Sequence, residues 1–250
     1  MTKYGLAFEK PLMNAAGSLG YSPDRRSGLN FEYWGAFITN PVSPARRTPA
    51  HGKRYLPFQG GFLLHTGYPN PGLKAVIRCY AAQWARGSLP IWVHLLAQGV
   101  DDIAQMVRML EGREGVAGLE VGLAADVEPA EALAFTRAAI GELPVVVRLP
   151  LERAVQLAGG VLDAGAAAIS LGPPRGALAD PGGGLVSGRL YGPAIFPLAL
   201  QVVRSLSRAG IPVIGAGGIY QSDQVEAMLA AGAIAVQLDA VLWRGWQENR

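Results

Sequence analysis

Short apolar, β-branched runs alternate along this chain with longer segments whose apolar residues recur every three or four positions. That change of period separates strands from amphipathic helices. The clearest strands are expected at 35–42 (GAFITNPV), 90–97, 118–124, 144–150, 167–172, 212–218 and 233–240, and PLMNAAG at 11–17 completes eight. Helical spacing predicts helices over 101–113, 152–165, 196–210 and 222–232, with another starting at Glu128. Three of them end in Ala-Gly, at 164–165, 209–210 and 231–232, directly before an apolar strand. A glycine just past a helix end takes the left-handed conformation that turns the chain back. Asp101, Ser222 and Asp223 are the expected caps. Strands alternating with helices imply parallel pairing through right-handed crossovers, so eight units in 250 residues predict an α/β fold, a (β/α)8 TIM barrel forming a single domain over 1–250. The alternative, an open dinucleotide-binding sheet, fails at GAGGIY (215–220), which lacks the closing glycine of that fingerprint.

Composition narrows the function classes. Half of the residues are hydrophobic and 16% are charged, enough apolar material for a sizeable core. The net charge of +3 comes from scattered basic residues, which points away from nucleic acid as a partner. A single cysteine, Cys79, is expected to be buried; it excludes an internal disulfide, offers no metal set and suits a reducing compartment. No stretch approaches the roughly 20 apolar residues of a membrane span, and residues 1–13 carry no apolar leader, so a cytoplasmic protein without membrane contact is expected. The lysines, Lys3, Lys10, Lys53 and Lys74, lie outside the expected strands, which argues against a Schiff-base aldolase on this scaffold.

Barrels commonly bind phosphate at the ends of their last two strands, where main-chain N–H groups converge near a helix start. Gly215, Gly217 and Gly218 stand at such an end. In order, LMNAAGSLGY (12–21), GAFITNPVSPARRTP (35–49), LHTGYPNPGL (64–73), GGGLVSGRLYGPAIFPLAL (182–200), PVIGAGGI (212–219) and GAIAVQL (232–238) resemble the dihydroorotate dehydrogenases over nearly the full length. The resemblance implies FMN as cofactor and oxidation of dihydroorotate to orotate, a step of pyrimidine biosynthesis, with a loop cysteine or serine removing a proton. Carried onto this chain, it places the flavin ring against Ala15, Ala16 and Gly17. The phosphate falls on Gly192, Gly217, Gly218 and the pair Asp239 and Ala240, where the family carries a glycine-threonine pair. The family's lysine after the second strand is Asn40, its third-strand asparagine is His94, and its fifth-strand lysine is Arg148.

The reaction side of the pattern is missing. The proton-abstracting loop falls on Gly122, Leu123, Ala124, Ala125, Asp126 and Val127, with alanine at the base position. Substrate-binding asparagines fall on Leu64 and Pro173. No catalytic residue is assigned; Asp126 and His65 are the candidates for an acid and base pair. Thr66, Gly67, Tyr68 and Asn70 are the expected substrate contacts, and Arg175 with Arg189 could draw in an anion. The readings that follow are an FMN oxidoreductase with an altered or lost dihydroorotate half-reaction, and an inactive flavin- or phosphate-binding barrel serving as a subunit. A small-molecule substrate is expected, and a homodimer is suggested by Trp84, Trp92, Trp243 and Trp246.

Overall fold

The computed structural model describes residues 6–96, 98–180 and 182–246; Lys3, the leader reading of residues 1–5, and Ala97 at the end of one expected strand lie outside them. In chain order the strands are β1 (Leu12–Asn14), β2 (Trp34–Ile38), β3 (Tyr55–Phe58), β4 (Gly61–Leu64), β5 (Ile91–Leu95), β6 (Val116–Gly122), β7 (Val145–Pro150), β8 (Ala168–Gly172), β9 (Arg175–Ala179), β10 (Leu185–Tyr191), β11 (Val213–Ala216) and β12 (Ala235–Leu238). The helices are α1 (Leu73–Arg86), α2 (Val100–Leu110), α3 (Pro129–Ala139), α4 (Ala154–Asp163), α5 (Phe196–Arg208) and α6 (Ser222–Ala230). Eight strands close a barrel in the order β1-β12-β11-β8-β7-β6-β5-β2, every pair parallel. The expected (β/α)8 barrel is the observed fold.

Closure follows from the strand sequences. β5 and β7 are buried at every position, as strands covered on both faces must be. Residues two apart share a face, so a strand end two residues above an apolar floor points into the same lumen. Met13, Ala36, Ile38, Trp92, Val146, Ala168, Ile214 and Ala235 form that floor. Gly118 makes room for it, since a Cβ there would lie 2.6 Å from the Trp92 ring. One layer higher on the same faces stand His94, Glu120, Arg148, Ser170 and Gln237, all buried. The larger apolar cluster lies outside the barrel wall, under the helices, with Leu119, Val121, Val147 and Ile169 among its strand members.

Several local expectations are corrected. Residues 55–64 and 175–191, without a strict alternation to mark them, form a second, antiparallel sheet in the order β3-β4-β10-β9. Its joins rely on bare backbone: a Cβ at Gly61 would sit 2.1 Å from the Tyr191 carbonyl oxygen, and one at Gly188 2.5 Å from that of Leu64. The Ala-Gly helix ends behave as expected, with positive φ at Gly165, Gly210 and Gly232. The caps do not: α2 starts from Gly99, and α6 from Gln221, which forms a reciprocal box with Gln224. Cys79 is exposed, because the inward face of α1 is taken by Leu73, Val76, Ile77 and Trp84. Trp84 and Trp92 are buried and so are not interface material; Trp243 is the exposed tryptophan of the set, at 46%. No described helix is long and apolar enough to cross a membrane.

Gly115 tests how tightly the wall is closed. Its φ is +85°, and a Cβ would fall 2.3 Å from the Trp84 carbonyl group. Gly115→Ala is expected to lose about 2 kcal/mol of stability in urea denaturation, in line with a strained position of this kind. An unchanged midpoint would show that the turn before β6 has slack.

Candidate functional site

The polar layer is organised by one carboxylate. Glu120 on β6 lies opposite His94 on β5, and its Oε2 is 2.6 Å from His94 Nδ1. Its Oε1 accepts from Ser170 Oγ at 2.6 Å and from Gln237 Nε2 at 2.7 Å. Four strands are thereby tied to one buried group. Burial alone would raise the Glu120 carboxyl, but His94, Arg148 and Ser170 together hold it at about 2. Burial lowers the His94 imidazole further than Glu120 raises it, with Arg148 and Arg189 adding to the lowering. An ionised Glu120 beside a neutral imidazole fixes the Nδ1–H tautomer, so Nε2 is left as an acceptor. Gly122 creates its space, for a Cβ there would stand 2.4 Å from Nε2.

Above this layer two buried guanidinium groups dominate. Arg148 Nη1 donates to the Ala16 carbonyl at 3.4 Å, and Nη2 lies 3.9 Å from Asp239 Oδ2. Arg189 on β10 donates to Thr66 Oγ1 at 3.0 Å and lies 3.9 Å above the ring centre of Tyr68, which adopts a φ of 52° to present that ring. Both arginines keep a buried Nε with no partner among the described residues, and so does Gln237 Oε1. Unpaired buried donors of this kind are costly unless something else takes them up. The two arginines border two cavities that share Tyr68, Arg148 and Arg189. One, of about 520 Å³, also meets His94, Asp126, Arg47 and Arg175. The other, of about 200 Å³, meets Gly17, Asn40, Thr66 and Asp239. Guanidinium groups so placed recognise carboxylates and other planar anions.

Next to the smaller of these is the glycine corner. Gly192, Gly217 and Gly218 have φ of 151°, 109° and 69°; Gly192 packs against Gly60 and Gly61, and the other two against the start of α5, where a Cβ at Gly218 would lie 2.3 Å from Phe196 N. The pocket they border, with Tyr191, Asp239 and Ala240, holds about 20 Å³. That is room for about one water molecule. A flavin ring therefore fits this mouth, where Ala16, Gly17, Asn40 and Arg148 offer space and polar contacts, but the phosphate of FMN does not fit with Asp239 in place. Burial pushes the Asp239 carboxyl up to about 6, against the pull of Arg148 and Arg189.

The sequence-based candidates divide accordingly. Ala16, Gly17, Asn40, His94, Arg148, Thr66, Tyr68, Asp126 and Asp239 border the two larger cavities, and Gly192, Gly217, Gly218 and Ala240 the corner. Asn40 also accepts from the Gly20 N–H at 3.0 Å, bracing the loop after β1. Four of the expected residues do not line these cavities. Ala15 is fully buried, its N–H bonded to Leu238. Gly67 packs against Ala50, 2.8 Å from where its Cβ would be. Asn70 spends its amide tying its turn to the segment after β2, accepting from the N–H groups of Ser43 and Gly72 and donating to Ser43 Oγ and Tyr68 O. His65 alternates with Leu64 and Thr66, which face the cavity, and its N–H donates to Arg54 O. Glu120 and Gln237 were absent from the expectations. A lone charge at an alternate position of an apolar strand, level with His94 on another, was the signal.

Comparison with known proteins agrees with the barrel fold and with the family resemblance. A family model described as dihydroorotate dehydrogenase matches residues 1–125, and one described as nitronate monooxygenase matches residues 179–243. A relative from Pelobacter propionicus, named dihydroorotate dehydrogenase B (NAD(+)), catalytic subunit, is 32% identical over 94% of this chain and 84% of its own. One of the same name from Desulforudis audaxviator is 30% identical over 93% and 82%. The crystal structure of an Eimeria tenella DHODH in complex with ferulenol superposes with a TM-score of 0.74 at 15% identity, over 96% of this chain and 79% of that one, a likeness of fold.

The two buried carboxyls predict opposite pH responses. Glu120 is held at about 2 against an ordinary 4.5, so its stabilisation is present above pH 4.5 and lost as pH falls toward 2. Asp239 is raised to about 6 from 3.8, so its contribution is favourable below pH 3.8 and lost as pH rises through 6. Glu120→Gln should cost about 3 kcal/mol at pH 7.5, with the deficit shrinking below pH 4.5, whereas Asp239→Asn should gain up to about 3 kcal/mol at pH 7.5 and nothing near pH 4. Urea midpoints across that range decide it; the same sign for both variants would contradict the assignment.

Proposed function

The chain belongs to the dihydroorotate dehydrogenase family, and we propose that it is an FMN-type oxidoreductase of that family that binds a small anionic substrate through Arg148 and Arg189. On this reading the proton-abstracting half of the dihydroorotate reaction has been lost or rebuilt. The observation that carries it is the mouth itself. Ala124 and Ala125 face the larger cavity where the family pattern has its base, while two buried guanidinium groups with unpaired Nε remain on the opposite side. A flavin bound here would supply a hydride acceptor, the hard part of the chemistry.

This chain's own residues would supply the rest. Arg148, fixed by Ala16 O and Asp239, keeps a full positive charge on the barrel axis. Arg189, clamped by Thr66 and stacked on Tyr68, would orient an anionic group at the rim. Two groups at the larger cavity can hold a proton, His94 at Nε2 and the exposed Asp126 carboxylate. Glu120 would balance the charge of a protonated His94. The β4 and β10 strands bring Thr66, Tyr68 and Arg189 over the opening, which limits water around the bound anion. The protein is read as cytoplasmic, and Trp243 would serve a homodimer contact. The second reading, an inactive binding barrel, is favoured by one feature, the carboxylate of Asp239 beside the glycine corner.

Colour tests the redox reading. Protein saturated with riboflavin or FMN at pH 5.5 and desalted should keep visible flavin absorbance; colourless protein with both would end the redox reading. Anaerobic dihydroorotate should then bleach the bound flavin slowly or not at all, and rapid bleaching at low substrate would mean that His94 or Asp126 serves as the base. With orotate as an anionic probe, Arg189→Ala should weaken binding by about 10- to 100-fold, the cost of a charge-assisted hydrogen bond. Unchanged affinity would remove Arg189 from the site.

A further inference from the structure

Two side chains, Asp239 and Tyr191, border both the cavity of about 200 Å³ that suits a ring and the glycine corner of about 20 Å³. They form the wall between them, and of the two only Asp239 carries charge. The corner behind it is otherwise built for an oxyanion: no main-chain hydrogen bond is described for the Gly218 N–H, which lies beyond the end of the β11 ladder, and both Gly217 and Gly218 abut the first residues of α5. Such N–H groups at a helix start attract phosphate. We propose that Asp239 closes this corner to a terminal phosphate and opens it on protonation, so that the site takes a flavin ring without phosphate at neutral pH and the phosphorylated form with uptake of one proton. The proposal rests on the flavin reading above.

Charge balance around Asp239 gives the reason. Arg148 on β7 and Arg189 on β10 face it as cations, and Glu120 on β6 as a second anion. Tyr191, Tyr220 and Tyr68 complete the titratable groups around this cluster, and burial raises both Tyr191 and Tyr220, so they stay neutral in the working range. His94 is neutral too, burial having lowered its pKa. Two guanidinium groups thus offset two carboxylates, and no surplus positive charge is left for a phosphate. Protonating Asp239 leaves one positive charge uncancelled and turns a repelling acceptor into a donor that a phosphate oxygen can use. It also lets the side chain, whose 14% exposure opens on the cavity and whose nearest charged partner is 3.9 Å away, leave Arg148 at little cost. Because burial has brought this carboxyl up to about 6, the switch falls within the ordinary pH range.

The experiment is a titration of the full chain with riboflavin and with FMN, followed by flavin fluorescence at pH 5 and pH 8. Riboflavin affinity should be nearly the same at both values. FMN should match or exceed riboflavin at pH 5 and fall by about 100-fold at pH 8, tenfold for each unit above the carboxyl's pKa. The second ionisation of phosphate lies near pH 6 and acts in the same direction. Asp239→Asn and Asp239→Gly separate the two: in both, FMN should bind at pH 8 at least as tightly as riboflavin, with most of the pH dependence gone. FMN binding the native chain at pH 8 as tightly as riboflavin, or a full pH dependence persisting in both variants, would overturn the role of Asp239 and leave the flavin reading standing. Failure of riboflavin and FMN to bind the native chain and both variants at either pH would overturn the flavin reading and this proposal together.

Discussion

The mouth of this barrel depends on keeping one charge ionised where water does not reach. Glu120 is almost wholly buried, and a lone carboxylate there would take up a proton rather than stay charged. It stays charged because His94, Ser170 and Gln237 converge on its two oxygens from three other strands, with Arg148 close by. The same contacts set the imidazole tautomer, hold Gln237 upright and balance half of the arginine charge above. Removing one partner leaves the others to bear an unpaired buried anion, which is why such clusters resist piecemeal change.

The cluster also explains how the site differs from the pattern it resembles. A histidine on β5 is bulkier than an asparagine and needs space, and Gly122 on β6 provides it. An arginine on β7 reaches farther than a lysine, and Asp239 on the loop after β12 meets it. These substitutions are coupled by contact, so they read as one rearrangement of the mouth. The loop over 122–126 offers Asp126 as its one ionisable side chain, while the polar groups on the strands beneath it are bonded to one another.

How much was legible in advance varied with the range of the interaction. Periodicity and helix-ending glycines placed the barrel strands to within a few residues, because those signals are local and burial on both faces leaves its mark on composition. The antiparallel sheet over the mouth was missed because β4 and β10 pair across more than a hundred residues through glycines that carry no alternation. His65, Gly67 and Asn70 were assigned to the site by proximity in sequence, yet an extended segment turns alternate residues away and a tight turn consumes its own amide.

The sequence by itself determined the parallel barrel and its family resemblance, since each follows from residue types in order. Only the tertiary structure decided which polar residues meet: that Glu120 anchors His94, Ser170 and Gln237, that Arg148 and Arg189 keep unpaired donors, and that Asp239 stands between a cavity of about 200 Å³ and the glycine corner. Closing a sheet brings strands distant in sequence to one axis, and at that axis it is distance and burial that fix a charge's partner and its protonation state.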